Sequence, residues 1–212
     1  MAENGLGGKP LEHFLHNIAF AADQLADHAT ADPFAGVEAA AASVPPGSEG
    51  LLFLPWLTGA QAPESAPLVR GGFLNIALHS TRAHMVRAIL EGVAFNMRWV
   101  LPAVEDFVEQ RFDELLFAGG GAVSDAWAQI MADVLDRPIA QLADPRYVNN
   151  RATAFLAFVE LGVLGLDDIG TLCRVTRRYV PRAAHRAVYD AQFGQFVAAF
   201  ERTRPIFEAL NG

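Results

Sequence analysis

Cysteine is nearly absent from this sequence of 212 residues, which contains only Cys173. A single thiol cannot form a disulfide within the chain, and this excludes the disulfide-stapled scaffolds of small secreted domains. The N-terminus lacks a charged segment leading into an apolar one, and polar residues break every long apolar run before it reaches membrane-spanning length. We therefore expect a soluble, cytoplasmic protein with no signal peptide and no membrane anchor.

Positive charge is also scarce. The sequence has 16 basic and 24 acidic residues, a net charge of −8, and no Lys/Arg cluster that could follow a nucleic-acid backbone, so no nucleic-acid partner is expected. Charged residues make up only 19% of the chain and hydrophobic residues 52%, which is typical of an α/β domain with a buried sheet. The 15 phenylalanines fit either a well-filled core or a domain with one face built to be covered.

Helical and extended patterns alternate along the chain, which predicts an α/β fold. Apolar residues at helical spacing predict a helix over residues 8–28 and a longer one over residues 80–107, with Ser80 as its N-cap. Another helix is expected to open at Ser124. Short apolar runs predict strands within residues 51–57, 71–78, 113–117 and 138–143. We expect a single domain over residues 1–212, with a helical tail at about residues 183–212.

Three consecutive glycines stand between a predicted strand and the helix that opens at Ser124: Gly119, Gly120 and Gly121, followed by Ala122. Glycines let a backbone turn tightly and approach a ligand without clashes from Cβ atoms. Free N–H groups at the start of the next helix would favour the phosphates or polar edges of a nucleotide. Taken alone, this pattern fits a simple tight turn as well as it fits a ligand site.

Longer motifs resemble the FGGY family of carbohydrate kinases. Residues 71–91 resemble that family's second signature, with Asn75 where the family usually has glycine. The matching positions are Gly71, Phe73, Ile76, His84, Met85, Ala88, Ile89, Leu90 and Glu91. Residues 50–73 resemble the family's preceding loop, although Ala60 and Gln61 replace its usual glutamate and arginine, and residues 114–139 resemble its adenosine segment. The closest resemblance is to the xylulokinase-like branch.

The resemblance implies two actin-like (ribonuclease H-like) domains in the intact enzyme, of which this chain corresponds to the C-terminal one. In the family the first domain binds the sugar and supplies the aspartate base, and the second binds ATP, which is used with Mg²⁺. We therefore expect the C-terminal, ATP-binding portion of an enzyme that phosphorylates a sugar or polyol such as xylulose. Because the N-terminal domain and its aspartate are missing, the portion is expected to be inactive alone, and no catalytic residue and no metal ligand is assigned in it.

The resemblance also implies the residues that contact ATP or ADP. Gly8 and Glu12 match positions beside ADP, Asp125 matches a position at the adenine or ribose, and Asn149 lies in a segment that closes over the base. The glycine turn would pack against the adenosine through Gly119, Gly120, Gly121 and Ala122. Physical alternatives exist, since Asp125 could be a first-turn acid favoured by the helix dipole and Glu12 a solvated helix residue.

Several partners follow from the same resemblance. If the enzyme is split, an N-terminal kinase half is expected as partner, with the sugar bound only in the intact enzyme, and a homodimer is compatible with the family. The alternative is a non-catalytic actin-like module that binds a nucleotide or a protein through its exposed cleft face. Arg177, Arg178 and Arg182 form a small basic cluster, for which pairing with surface acids is favoured over a phosphate contact.

Overall fold

The computed structural model describes residues 7–25 and 30–212. The α-helices of these ranges are α1 (Lys9–Phe14), α2 (Val37–Ala42), α3 (Arg82–Phe107), α4 (Asp125–Leu135), α5 (Val148–Glu160), α6 (Ile169–Leu172) and α7 (Arg186–Asn211). The strands are β1 (Leu52–Leu54), β2 (Gly72–Leu74), β3 (Leu115–Phe117), β4 (Ile139–Leu142) and β5 (Val175–Tyr179). Within these ranges, no helix combines the length and apolar character needed to cross a bilayer.

The strands form two small sheets. β1 pairs with β2 antiparallel, and the second sheet has the order β3–β4–β5. In that sheet β3 runs parallel to β4, with α4 as the connecting helix, and β5 is antiparallel to β4. The predicted α/β class is confirmed, and every predicted strand is present in shortened form. The sequence pattern did not predict β5, because its charged residues hide the alternation that usually indicates a strand.

The first helix is shorter than predicted. The α-helix ends at Phe14 and continues as a π-helical turn over Leu15–Ala19, and Phe20 leaves the helix. The prediction of a helix over residues 8–28 is therefore wrong for residues 20–25, and its residues 26–28 lie outside the described ranges.

Helix α3 is the centre of the core, and α2, α4 and β1 pack around it. Its N-cap is Thr81 rather than the predicted Ser80. The backbone N–H of Thr81 donates to Nδ1 of His84 at 3.2 Å, and the Thr81 hydroxyl lies 2.8 Å from the same nitrogen. Three residues after Ser80 stands Ala83, whose side chain cannot form a hydrogen bond, whereas three residues after Thr81 stands His84. The pairing with His84 therefore favours Thr81 as the N-cap of α3.

Asn75 occupies the signature position at which glycine is usual. Its φ angle is +65°, a left-handed conformation that glycine adopts freely and asparagine tolerates better than most residues. The Asn75 side chain donates to the carbonyl oxygen of Gly50 at 3.1 Å. Asparagine therefore preserves the backbone turn after β2 and adds a hydrogen bond to the segment before β1.

Arg87 and Glu91 form a buried ion pair on the inner face of α3, with Arg87 Nε 2.7 Å from Glu91 Oε1. Arg87 also donates to the carbonyl oxygens of Ala41 and Val44 at the end of α2. The Tyr189 hydroxyl of α7 donates to Glu91 at 2.9 Å and accepts from Arg87 at 3.0 Å. These bonds connect α2, α3 and α7, which are distant in sequence.

Candidate nucleotide-binding turn

The glycine turn lies at the end of the β3–β4–β5 sheet where the parallel strands β3 and β4 have their carboxyl ends. Since β3 and β4 are parallel, the segments that follow Phe117 and Leu142 leave the sheet at the same edge. The backbone N–H of Gly119 donates to the carbonyl oxygen of Pro145 at 2.8 Å and so joins these two segments. In α/β sheets, ligands bind in the crevice outside the carboxyl ends of the parallel strands.

Gly119 and Gly120 border open space. A Cβ atom added to either residue would meet no heavy atom of the described chain within 4 Å. Gly119 has φ +93° and ψ −176°, a conformation that is essentially restricted to glycine. The backbone at these two residues can therefore be approached closely by a flat ligand surface.

Gly121 faces the core instead. A Cβ atom added there would lie 2.4 Å from Cζ3 of Trp127, whose ring is buried. The Trp127 indole N–H donates to the carbonyl oxygen of Leu90 on α3 at 3.1 Å, which holds the ring in place. The expectation that all three glycines leave room for a ligand is therefore wrong for Gly121, whose missing side chain makes room for Trp127.

Replacing Gly121 by valine should lower the free energy of unfolding by about 1–3 kcal/mol, because the new side chain would overpack the Trp127 pocket. Thermal unfolding followed by circular dichroism measures this loss. Gly120→Ala is the matched control and should change the free energy of unfolding by less than about 0.5 kcal/mol. Equal effects of the two substitutions would contradict the assignment of Gly121 to the core.

Asp125, the first residue of α4, is held by donors from two strands. The Tyr179 hydroxyl donates to Asp125 Oδ1 at 2.6 Å, Gln141 Nε2 lies 3.5 Å from the same oxygen, and Arg177 forms an ion pair with Oδ2. Burial and the hydrogen bond to Asp125 raise the pKa of Tyr179 to about 12, so the phenol keeps its proton and remains a donor at neutral pH. The charged carboxylate is exposed and presents its remaining lone pairs to solvent.

Gln141 connects Asp125 to the glycine turn. This buried residue of β4 donates from Nε2 to the carbonyl oxygen of Ala122 at 2.6 Å. Sequence reasoning missed Gln141, Tyr179 and Arg177 as parts of this cluster. The sequence offered a signal only for Gln141, which is a polar residue in the middle of the otherwise apolar strand β4. Such a side chain needs a hydrogen-bond partner when it is buried.

The start of α4 does not offer the free N–H groups that the sequence suggested. Ser124 is the N-cap as expected, and its hydroxyl accepts from the N–H of Trp127 at 3.0 Å. The N–H of Ala126 donates to the carboxylate of Glu38 at 2.9 Å. The backbone N–H groups of Ala126 and Trp127 therefore already have acceptors. The negative charge of Glu38 also repels a phosphate at the N-terminus of α4.

A groove of about 760 Å³ lies beside Asp125, between the end of α2, α4 and β5. The preference for acid pairing in the basic cluster is confirmed. Each arginine pairs with an acid, namely Arg177 with Asp125, Arg178 with Glu114 and Arg182 with Asp133. The groove is consequently lined by balanced charges rather than by unpaired cations.

The other proposed contact residues are more scattered. Asn149 lies exposed in the first turn of α5, directly after the turn that accepts the Gly119 N–H. Gly8 is the N-cap of α1, and Glu12 pairs with Lys9 at 2.7 Å. Glu12 lines a separate groove with His13, His16 and Leu57, which shares no lining residue with the groove beside Asp125.

The fold has counterparts in known kinases. The profile of the FGGY family of carbohydrate kinases, C-terminal domain, matches residues 4–147. Gluconokinase of Bacillus subtilis is 34% identical over 133 residues, which cover 63% of this chain and 26% of that enzyme. Xylulose kinase of Lactococcus lactis is 36% identical over 100 residues, covering 47% of this chain and 20% of that enzyme.

Solved structures give the same result over more of the chain. The crystal structure of xylulose kinase from Rhodospirillum rubrum has a TM-score of 0.68 at 35% identity and covers 83% of this chain and 35% of that one. Gluconate kinase from Lactobacillus acidophilus has a TM-score of 0.73 at 25% identity, covering 93% and 39%. The chain thus spans between a fifth and two fifths of these relatives, and the expected actin-like kinase fold is confirmed. The chain belongs to the FGGY family of carbohydrate kinases and carries that family's C-terminal domain.

Proposed function

We propose that the chain binds the adenosine part of ATP or ADP at the glycine turn. The observation that carries this proposal is the open space at Gly119 and Gly120. Gln141 connects their turn, through the carbonyl oxygen of Ala122, to the exposed carboxylate of Asp125. A flat base or ribose can approach the bare backbone, and Asp125 can accept hydrogen bonds from ribose hydroxyls or from the adenine amino group. Ala122 belongs to the same turn, and Asn149 is proposed to contact the base from α5, which follows the Pro145 turn bonded to Gly119. Gly8 and Glu12 would contact the nucleotide from α1.

Recognition at this turn is proposed to favour the nucleoside over the phosphates. Glu38 and Ser124 occupy N–H groups at the start of α4, and no unpaired arginine of the basic cluster lines the neighbouring groove within the described residues. We therefore expect weak binding with little difference between ADP and ATP. Charge-assisted bonds to the phosphates, which contribute most to discrimination between the two, would have to come from outside this site.

The chain's place in catalysis is proposed from its family. The relatives are named for gluconate, xylulose and glycerol, so the proposed overall reaction is ATP- and Mg²⁺-dependent phosphorylation of a sugar or polyol hydroxyl. Phosphoryl transfer requires positioned phosphates, charge neutralisation and a base for the attacking hydroxyl. The chain is proposed to supply the nucleoside-binding wall, and the remaining part of a kinase to supply the base and the sugar site.

Thermal unfolding with added ADP tests the nucleotide site. Millimolar ADP should raise the melting temperature by a small amount, because a ligand stabilises the fold only as far as its concentration exceeds its dissociation constant. Gly120→Val should remove this rise and leave the melting temperature without ligand unchanged, since the valine would enter open space at the turn. Gly194→Val is the control, because Gly194 on α7 also borders open space.

The proposal is wrong if Gly120→Val responds to ADP as strongly as Gly194→Val does. Adenosine and AMP should produce a rise similar to that of ADP when each is used at the same concentration. A rise that appears only with the diphosphate would place recognition at the phosphates and contradict the assignment of the glycine turn to the nucleoside.

A further inference from the structure

Side chains from β4 and β5 converge on the carboxylate of Asp125. Gln141 lies opposite Arg177 and Ile139 opposite Tyr179, and paired residues of neighbouring strands share a face of the sheet. Residues two apart on one strand share a face as well. Gln141, Arg177 and Tyr179 therefore lie together on one face, and all three contact Asp125 at the start of α4.

Tyr179 holds this carboxylate more firmly than the other two residues do. Tyr179 is 7% exposed, and its hydroxyl donates to Asp125 Oδ1 at 2.6 Å. The Arg177 side chain is 60% exposed, and an exposed ion pair contributes little because water and salt screen it. Gln141 Nε2 lies 3.5 Å from Asp125 and already donates to the carbonyl oxygen of Ala122 at 2.6 Å. The Tyr179 hydroxyl therefore decides the orientation of the Asp125 carboxylate.

The oriented carboxylate offers a ligand only hydrogen-bond acceptors. A carboxylate has about four lone-pair positions on its two oxygens and no proton to donate. The Tyr179 hydroxyl has one proton, and it gives this proton to Asp125. Burial and the bond to Asp125 raise the pKa of Tyr179 to about 12, so the proton stays in place at neutral pH. Because the Asp125 side chain is 51% exposed, its remaining lone pairs face solvent in a fixed direction.

We propose that Tyr179 is a positioning residue of the nucleotide site and that, through Asp125, it selects nucleosides that present a hydrogen-bond donor. This inference rests on the proposed binding of a nucleoside at the glycine turn, which ends three residues before Asp125. The donor can be a ribose hydroxyl or the amino group of adenine, since both bond to a carboxylate in the same way. Without the Tyr179 hydroxyl, the carboxylate loses the bond that orients it, and a donor on the ligand gains less from it.

NMR titration of the isotope-labelled full chain tests this inference with ADP and three analogues. The analogues are 2′-deoxy-ADP, 3′-deoxy-ADP and purine riboside diphosphate, and each of them lacks one donor of ADP. At least one analogue should bind at least about fivefold more weakly than ADP, because a hydrogen bond to a charged acceptor is stronger than one to a neutral group. The analogue that loses the most affinity identifies whether the donor belongs to the ribose or to the base.

Tyr179→Phe should weaken the binding of ADP at least about fivefold and that of the weakest analogue less than about twofold, so that ADP loses its advantage. A purely structural defect would weaken all four ligands equally. Thr176→Val is the matched control, because it removes another hydroxyl of β5, which donates to the backbone carbonyl oxygen of Gln141 at 3.1 Å and not to Asp125. It should leave the advantage of ADP unchanged.

Asp125→Ala is a second variant, at an exposed position, and it should remove the same advantage. In the Asp125→Ala background, Tyr179→Phe should have no further effect on binding, because Tyr179 acts through Asp125. Two results would overturn the inference and leave nucleotide binding standing: equal affinities of all four ligands for the unmodified chain, or an equal loss for all four in Tyr179→Phe. If ADP shifts the amide signals of neither Gly119 nor Gly120, the proposed nucleotide site is itself wrong, and so is the inference.

Discussion

Replacing Glu91 by alanine should lower the free energy of unfolding by about 3–5 kcal/mol, because it leaves the Arg87 guanidinium buried without a counter-charge. Glu91 is 1% exposed, and its carboxylate accepts from Arg87, Tyr189, the N–H of Gly47 and the Ser48 hydroxyl. For a domain of this size the loss corresponds to a fall of roughly 10 °C or more in melting temperature. Differential scanning calorimetry and urea unfolding measure it.

A double variant separates the effect of charge from that of packing. Arg87→Met combined with Glu91→Leu removes both charges at similar volume, and it should be clearly more stable than Glu91→Ala. Glu208→Ala is the control for an exposed pair, since its bond to Arg204 on α7 should contribute less than about 1 kcal/mol. If the double variant is as unstable as Glu91→Ala, the cost lies in lost packing and hydrogen bonds rather than in the unpaired charge.

The network explains what the family signature does in this chain. Glu91 joins α3 to the segment before β1, His84 caps the start of α3, and Asn75 supplies the left-handed turn after β2. All three residues hold backbone segments together, and the structure places none of them at the glycine turn. In this chain these three signature positions therefore stabilise the backbone of the fold.

Local sequence patterns predicted much of the fold, because caps, turns and helical spacing depend on residues that are close together in the sequence. Ser124 was predicted as the start of α4 and is its N-cap, because a cap depends on a side chain and a backbone N–H three residues apart. The strand before it is predicted from a short apolar run, the turn from three glycines and the helix from apolar residues at helical spacing, which are also local patterns. The sequence pattern predicts the N-cap of α3 one residue early, because Ser80 and Thr81 are both good caps and only the bond from Thr81 to His84 distinguishes them.

Features that depend on long-range contacts could not be read from the sequence. Gly121 looks equivalent to Gly119 and Gly120, and only the position of Trp127 against α3 shows that it faces the core. The cluster around Asp125 draws Tyr179 from 54 residues away in sequence. Tertiary packing decides which side chains become partners of such groups, and the residues adjacent in sequence do not specify that choice.

Replacing Phe196 by alanine should lower the free energy of unfolding by about 3–5 kcal/mol, because the side chain is fully buried and its removal leaves a cavity. The predicted helix around Phe196 is present as α7, and it contributes to the same core as α3 and β1. The Phe196 ring lies 5.0 Å from that of Trp56, 5.7 Å from that of Phe95 and 6.2 Å from that of Trp99. These rings join the last helix of the chain to its centre.

Phe107→Ala is the matched control, because Phe107 at the end of α3 is 86% exposed and its loss should change the free energy of unfolding by less than about 0.5 kcal/mol. Tryptophan fluorescence adds a readout specific to the site, since two of the three tryptophans, Trp56 and Trp99, contact Phe196. The emission of the folded Phe196→Ala variant should change, whereas that of Phe107→Ala should not. If Phe196→Ala costs no more than Phe107→Ala, α7 packs on the outside of a core that is complete without it, and removal of residues 183–212 would then leave a folded domain.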